Sequence, residues 1–518
     1  MKSLFLCGAI LLCLSVSVPV ARPQSPTSPK APWDKQTQTQ AGCSVEKTCA
    51  DVAPGMIRNA LGPSPLEENL RYLTDVIGGR VSASPAASRA VKWAVEAFRR
   101  ARVDDVHTEK FTIPVGWGEG RTRVEVLEPE PFPVRLVSTG WSPPTPEGGL
   151  TADVVDVGEG TAADFARAGN AARGAIVLVH QKVIVTWEDL FNEYMTGPAI
   201  VDRAVNSGAA AIFWMASRER LLLYRHILSL DGTLEKLPQA IVAREDALRM
   251  ARFLATGTKV RVHFDMPNRV SSPVESENVV AEIRGREKPD EYVILAAHLD
   301  SWELGTGALD NSCNAAMVID AARVIRESGV IPRRSIRFIL FTGEEQGMLG
   351  SEAYARAHRA ELDNAVAVIV FDAGTGRVTG YSLGGRKELT AAIGEVLEPA
   401  KSLGPFEQTA DAVLGTDNFD FLLEGVPTLV ANQEPANYMQ NYHAASDTFD
   451  KVDIAQLKKH VALVAITAFG IADDPARIGR RQTRAEIEQL MKESGLDEQM
   501  RLSGLWLAWE SGQRGRQP

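Results

Sequence analysis

Cysteine is sparse in this sequence, five residues in 518. Cys7 and Cys13 fall in the first apolar stretch, Cys43 and Cys49 sit close together in a polar segment, and Cys313 stands apart. No spacing among them suits a zinc-thiolate site. Outside the cytoplasm Cys43 and Cys49 are placed to pair and close a small loop, which leaves Cys313 unpaired. A basic surplus is also missing, because the net charge is -10. That excludes the electrostatic footprint of a nucleic-acid-binding protein. No polybasic or amphipathic stretch marks a membrane surface. After the N-terminus, no apolar run is expected to be long enough to cross a bilayer. There is no internal repeat.

What is present at the N-terminus is MKSLFLCGAILLCLSVSVPVA, residues 1–21. One lysine precedes an apolar run, and small residues follow it. This is the pattern of a secretory signal peptide. An uncleaved anchor is the other reading, although the run is short for a span. Pro19 fits badly two residues before Ala21, and no lipobox precedes Cys7 or Cys13. The expected location is therefore secreted or periplasmic, with no stable membrane insertion once the signal is removed.

The rest of the composition is ordinary, 45% hydrophobic and 24% charged, which suits a globular chain of more than one domain. Residues 22–60 are rich in Pro, Ser, Thr and Gln and read as a linker. Order is expected to resume near Leu66. In 61–133, NLRYLTDVIG and SRAVKWAVEAFRRARV have helical periodicity, and VHTEKFTIPV reads as a strand. Residues 134–270 change character. Glycine and proline are frequent, short apolar runs such as GAIVLVH and AAAIFWM read as buried strands, and few ionisable groups cluster. This is an inserted smaller domain, a lid, specificity or scaffold module. Residues 271–475 alternate regularly: NVVAEIRG and EYVILAAH as strands, NAAMVIDAARVIRESG as a helix, SIRFILFTG and AVAVIVFDAG as further strands between helices. That alternation predicts an α/β fold with a mostly parallel sheet covered by helices on both faces. Residues 476–518 form a charged, partly helical extension.

In such sheets, ligands bind beyond the carboxyl ends of the strands. EYVILAAH ends in His298, with Asp300 just after it and Asp310 further on in GALDNS. SIRFILFT is followed by Glu344 and Glu345. AVAVIVF is followed by Asp372. The segment after VPTLVANQ carries His443. Each alone is more often a cap or an exposed charge, and His358 and His460 lie inside helical patterns and are left structural. Histidine and carboxylate at four strand ends on one rim are a different matter. Imidazole and carboxylate suit zinc, and three carboxylates offset much of the charge of two divalent ions. This is the set that a two-metal hydrolase requires.

AAHLDSWELGTGALDN, FTGEEQGMLGS, DAGT and LGTDNF resemble, in pattern and spacing, the co-catalytic zinc aminopeptidase and carboxypeptidase family that carries an inserted protease-associated domain. The likeness runs from about Leu66 to Ala472. It implies two Zn2+ per chain, with His298 and Asp372 on one ion, Glu345 and His443 on the other, and Asp310 bridging both. It further implies Glu344 as general base and Asp300 as the group that holds the imidazole of His298. The implied reaction is hydrolysis of short peptides, dipeptides foremost, with release of a C-terminal amino acid by attack of zinc-bound hydroxide. An aminopeptidase trimming longer chains is the alternative, and a non-catalytic ectodomain on the same fold a third reading. The partner is a peptide substrate, and homodimerisation is suggested by the likeness alone. Asn311 departs from the pattern, where relatives often carry an acidic residue or glycine. Tyr438 and Tyr442 are candidates to line the pocket, and Arg386 and Lys387 candidates for anion recognition.

Overall fold

The computed structural model describes residues 47–517. The signal segment, most of the linker and Cys43, with its pairing to Cys49, lie outside them. The linker expected to run to residue 60 ends earlier. Helix α1 spans Cys49–Leu61 and buries Val52, Ala53, Met56 and Ala60. Asp51 accepts the Thr48 amide at 2.8 Å and closes its first turn. Pro54 and Gly55 obscure the helical spacing in the sequence, but the buried face is enough to hold the helix on the core.

Helix α2 (Pro85–Arg100) starts at Ser84, whose hydroxyl accepts the Ala87 amide, as an N-cap should. Strand β1 (Asp105–Ile113) follows. The chain then leaves for a second sheet and, within it, helix α3 (Trp187–Ser207). It returns as β2 (Val274–Ile283) and β3 (Lys288–His298). After these come α4 (Cys313–Glu327), β4 (Arg334–Phe341), α5 (Leu349–Ala357), β5 (Ala365–Val370) and β6 (Val378–Ser382). The chain closes with α6 (Asn418–Leu423), β7 (Thr428–Gln433), α7 (Ile454–Asp473) and α8 (Arg484–Ser494).

The main sheet has the order β1-β2-β4-β3-β5-β7-β6. Its four central strands are parallel. The outer strands β1, β2 and β6 run antiparallel to their neighbours, so the sheet is mixed at its margins. Val293, Leu295 and Ala297 of β3 face a core shared with α1, α4 and α7. Ile294 and Ala296 face Tyr354 and Phe421 on the other side. Burial on both faces explains why β4 and β5 read as continuous apolar runs. Register aligns His298 with Phe341, and Ala296 with Val370. The ends of β3, β4 and β5 therefore open on one rim.

Helix α7 corrects one expectation. Its 20 residues, with an 18-residue window of mean hydropathy 1.3, are long and apolar enough to cross a membrane by length and composition. It is the central core helix, with 72% of that window buried. A helix apolar all round is a core element as readily as a span.

The second sheet has eight strands between residues 123 and 265. It begins before the expected boundary at 134, because the Arg123–Glu128 strand, with Val124 and Val126 buried, pairs with Arg261–Asp265. Residues 476–517 do not trail away. Ile487, Leu490, Met491 and Trp509 form an apolar cluster with Met348 and Phe419.

His358 ends α5 away from the site. Its Nε2 lies 2.9 Å from Glu109 of β1, and its Nδ1 pairs with Glu361. Burial disfavours the charged imidazole, but the two carboxylates raise its pKa above the usual 6.5. A raised histidine pKa contributes stability that is full below the unfolded value and fades as pH rises through the folded one. His358→Gln should cost up to about 1 kcal/mol on the acid side of neutrality and little in alkali. Urea midpoints measured across that range check it, and an equal loss at both ends would sink it.

Candidate metal centre

The sharp turn after β3 sets the first ligand. The His298 Nδ1 donates to the Asp300 carbonyl at 3.1 Å. A carbonyl only accepts, so this contact puts the proton on Nδ1 and frees Nε2. Nε2 faces Asp372 at 3.0 Å and Asp310 at 3.1 Å. His443 repeats the arrangement from the far side. Its Nδ1 donates to the Arg225 carbonyl at 3.2 Å. Its Nε2 faces Glu345 at 2.8 Å and the second oxygen of Asp310 at 3.3 Å. Asp310 thus turns one oxygen to each imidazole, the disposition expected of a bridge. It sits ahead of α4 with non-helical backbone (φ -121°, ψ 89°). Asp447 accepts the amides of Leu309 and Asp310 at 2.7 and 3.1 Å, and Tyr438 donates its hydroxyl to Asp310 at 3.0 Å.

Glu344 and Glu345 occupy a tight turn after β4. The Glu344 carbonyl accepts the Gly347 and Met348 amides, both at 2.8 Å. Gly347 has φ +109°, and a Cβ there would stand 2.1 Å from the Leu230 carbonyl, so only glycine fits. The turn sends the two carboxylates different ways. Glu345 goes to His443, while Glu344 comes within 3.9 Å of His298. Ligand atoms of His298, Glu344 and Asp372 lie within 4.8 Å of one another, as do those of His298, Asp310 and Glu345.

Asp300 is placed differently from its expected role. Its carbonyl, nearer than its carboxylate, accepts the hydrogen bond from His298 Nδ1, because the chain reverses at once after β3 and brings that carbonyl within reach. One carboxylate oxygen stands 3.6 Å from Nδ1. The other accepts from the Ser82 hydroxyl at 2.9 Å and faces the Glu345 amide at 3.4 Å. The Asn311 side chain bridges from the Phe371 carbonyl to Asn314, at 3.0 and 2.7 Å. Two supporting residues carry no signal in the sequence. Ser82 ties Asp300 to the Gly343 amide, 2.7 Å away. Arg80 is wholly buried and donates to the carbonyls of Leu299, Thr306 and Gly307.

The electrostatics call for cations. Burial pushes the Glu345 carboxyl up to about 7 and raises Asp372 and, further, Glu344. Burial also opposes charge on Asp310, but both imidazoles hold its pKa well below the carboxylate range. His443 is raised to about 9, with Glu345 and Asp310 outweighing burial. Burial lowers Arg80 to about 10, so it remains a cation among these acids. Glu345 Oε1 and Asp300 Oδ1 are buried without a hydrogen-bond partner. A partnerless Glu345 oxygen beside two imidazole Nε2 atoms that face only carboxylates is a donor set suited to zinc.

Above the centre lies a cavity of about 770 Å3. Asp310, Glu344, Glu345, Asp372 and His443 form its floor. Trp187 and Tyr194 of α3 reach it from the inserted domain. Tyr194 shares a hydrogen bond with Tyr442 at 3.0 Å, and Trp187 stacks on Tyr438 at 5.6 Å. Tyr438 and Tyr442 thus line the pocket, but Arg386 and Lys387 do not. Arg386 is buried against Glu388 and the Arg480 carbonyl. His460 is sealed in α7, with Nε2 2.8 Å from the Gly376 carbonyl.

Fold and centre together define a zinc-dependent metalloexopeptidase. The model of peptidase family M28 matches residues 278–468. Mouse carboxypeptidase Q is 30% identical over 406 residues, 78% of this chain and 85% of that protein. Human carboxypeptidase Q is 30% identical over 430 residues, 82% of this chain and 90% of that protein. The crystal structure of a peptidase M28 precursor from Shewanella amazonensis SB2B superposes with TM-score 0.76 at 26% identity, over 84% of this chain and 99% of that one. The chain belongs to peptidase family M28, and its substrates are peptides.

Asp447→Ala would strip the Leu309 and Asp310 amides of their acceptor. Buried unsatisfied donors cost about 1–3 kcal/mol each. Denaturant unfolding of the variant should show a loss of about 2–6 kcal/mol for the two amides, and an unchanged midpoint would remove Asp447 from the support of Asp310.

Proposed function

We propose that the chain is an extracytoplasmic di-zinc exopeptidase that hydrolyses short peptides, dipeptides foremost, with release of the C-terminal residue. The observation that carries this reading is Asp310, with one oxygen toward each imidazole on the floor of a walled cavity. A cavity of about 770 Å3 has the size of a small-ligand site. The inserted domain, protease-associated-like in this reading, supplies part of the wall.

His298 and Asp372 would hold one zinc ion and Glu345 and His443 the other, with Asp310 contributing to both sites. Bound zinc lowers the pKa of a water molecule and polarises the scissile carbonyl. Glu344 takes the proton of the attacking water and passes it to the leaving amine. Burial holds its pKa well above the usual carboxylate value, which favours uptake of the proton from the attacking water. Asp300 and Ser82 keep His298 and the catalytic turn in register. The aromatic wall of Trp187, Tyr438 and Tyr442 limits water around the reacting bond.

One observation favours the aminopeptidase reading instead. Among the described residues, no lysine or arginine lines the cavity, whereas Glu188 and Asp411 do. A substrate ammonium finds countercharge there more readily than a carboxylate does.

The test uses a free dipeptide, an N-blocked dipeptide and a tetrapeptide, each with and without chelator, beside Glu344→Gln. Cleavage of the free dipeptide alone supports the dipeptidase reading. Trimming of the tetrapeptide from its amino end moves the assignment to aminopeptidase. Metal analysis should give two zinc ions per chain. Glu344→Gln should lower kcat by about 10²–10⁴ with both ions retained, and loss of an ion would make Glu344 a ligand instead.

A further inference from the structure

The turn that carries Glu344 is gripped from outside the segment matched by the family. The Gly347 amide reaches back to the Glu344 carbonyl, but the Gly347 carbonyl points the other way and accepts Nη2 of Arg514 at 3.2 Å. The same guanidinium takes Asp420 of α6 in a fork, Nε at 2.7 Å and Nη2 at 2.9 Å. Asp420 in turn accepts the Ser351 hydroxyl of α5 at 3.2 Å. One side-chain bond to a backbone carbonyl and one backbone bond therefore join the C-terminal extension to Glu344.

The extension is seated with some care at this point. Arg514 is 3% exposed. Gly515 has φ +79°, and a Cβ there would meet Trp509 and Leu423 at 2.7 and 2.8 Å. Arg359 donates to the Gly515 carbonyl at 3.0 Å, and the Arg516 amide donates to Leu423 at 2.9 Å. Covering the apolar cluster of Met348, Phe419 and Trp509 needs no buried cation, because a residue of similar volume without charge would fill that space at lower desolvation cost. A planar fork that binds a carboxylate while reaching a carbonyl of the turn is a task for arginine. The Leu230 carbonyl of the inserted domain leaves no room for a side chain at Gly347.

We propose that Arg514 is a positioning residue for the hydrolytic centre: it fixes the Gly343–Met348 turn and thereby the reach of Glu344 toward the attacking water. This rests on the reading of Glu344 as the base. Misplacement of a catalytic group by about 1 Å can cost about a hundredfold in rate, so a contact two links away is enough to matter.

The test compares zinc-loaded full-length chains carrying Arg514→Gln, Arg514→Lys or Arg484→Gln with the parent. Arg484 donates to the Trp509 carbonyl at 2.8 Å and anchors the extension without touching the turn. Arg514→Gln is expected to lower kcat on the free dipeptide at least about tenfold, with KM within about twofold. Hydrogen exchange across residues 343–350 should accelerate at least about tenfold. Arg514→Lys should restore the pair with Asp420 but only part of kcat and of the exchange protection. Arg484→Gln should leave both near parent values. Parent-like kcat and exchange in Arg514→Gln would overturn the proposal, as would equal losses in Arg484→Gln. If Arg514→Gln does not fold, Arg514→Lys decides on the same two readouts. Exchange is read independently of turnover. An inactive parent whose turn still loosens in the variant defeats the dipeptidase reading and leaves the positioning role standing; an unchanged turn defeats the positioning role whatever the substrate.

Discussion

The rest of the molecule depends on holding acidic groups together where water cannot screen them. Asp310, Glu344, Glu345 and Asp372 share the floor of one cavity. Left to themselves, buried carboxylates repel one another and take up protons. The fold opposes this with two imidazoles, each locked by a carbonyl so that Nε2 faces the acids. It adds one buried guanidinium, Arg80, pinned beneath them. Divalent ions are the remaining charge that the donor set accommodates. In the proposed function the same donor set would polarise a bound carbonyl and leave one carboxylate to move a proton.

Rigidity comes from three parts of the chain acting on one rim. The parallel strands β3, β4 and β5 end level and deliver His298, Glu344, Glu345 and Asp372. The inserted domain reaches back with the Arg225 carbonyl under His443 and with α3 along the cavity wall. The C-terminal extension closes the far side of the catalytic turn through Arg514. Contacts to the centre thus come from residues 80 to 514, although the proposed ligands occupy the stretch from 298 to 443. The inserted domain is more than a spacer, because Arg225 also donates its amide to the His443 carbonyl at 2.9 Å.

Much of the centre was legible before any coordinates. Continuous apolar strands announced a sheet covered on both faces, and such a sheet puts its chemistry at the carboxyl ends. That rule put His298, Asp310, Glu345, Asp372 and His443 on one rim, where the structure brings them together; their separate roles came from the family resemblance. Asp300 was found, but its contact was misjudged, since a residue's own carbonyl and carboxylate compete and only the turn geometry chooses between them. Ser82, Arg80 and Asp447 were not found. They are single polar residues in unremarkable surroundings, and their importance lies in partners hundreds of positions away or across a loop. Helix α1 was taken for linker because Pro54 and Gly55 mask four buried positions. The length and apolarity of α7 were underrated, because an apolar helix of 20 residues looks the same beside lipid or beside a sheet.

The sequence by itself determined the order of strands and helices, the kinds of ligand and the chemistry they suit. These rest on local properties: side-chain type, periodicity and the residue that follows each strand. Tertiary structure decided which oxygen faces which imidazole, which tautomer each histidine adopts, and that a residue near position 514 touches a turn near 347. Those are matters of distances and directions across the fold. They are fixed only when burial forces each polar group to find its partner.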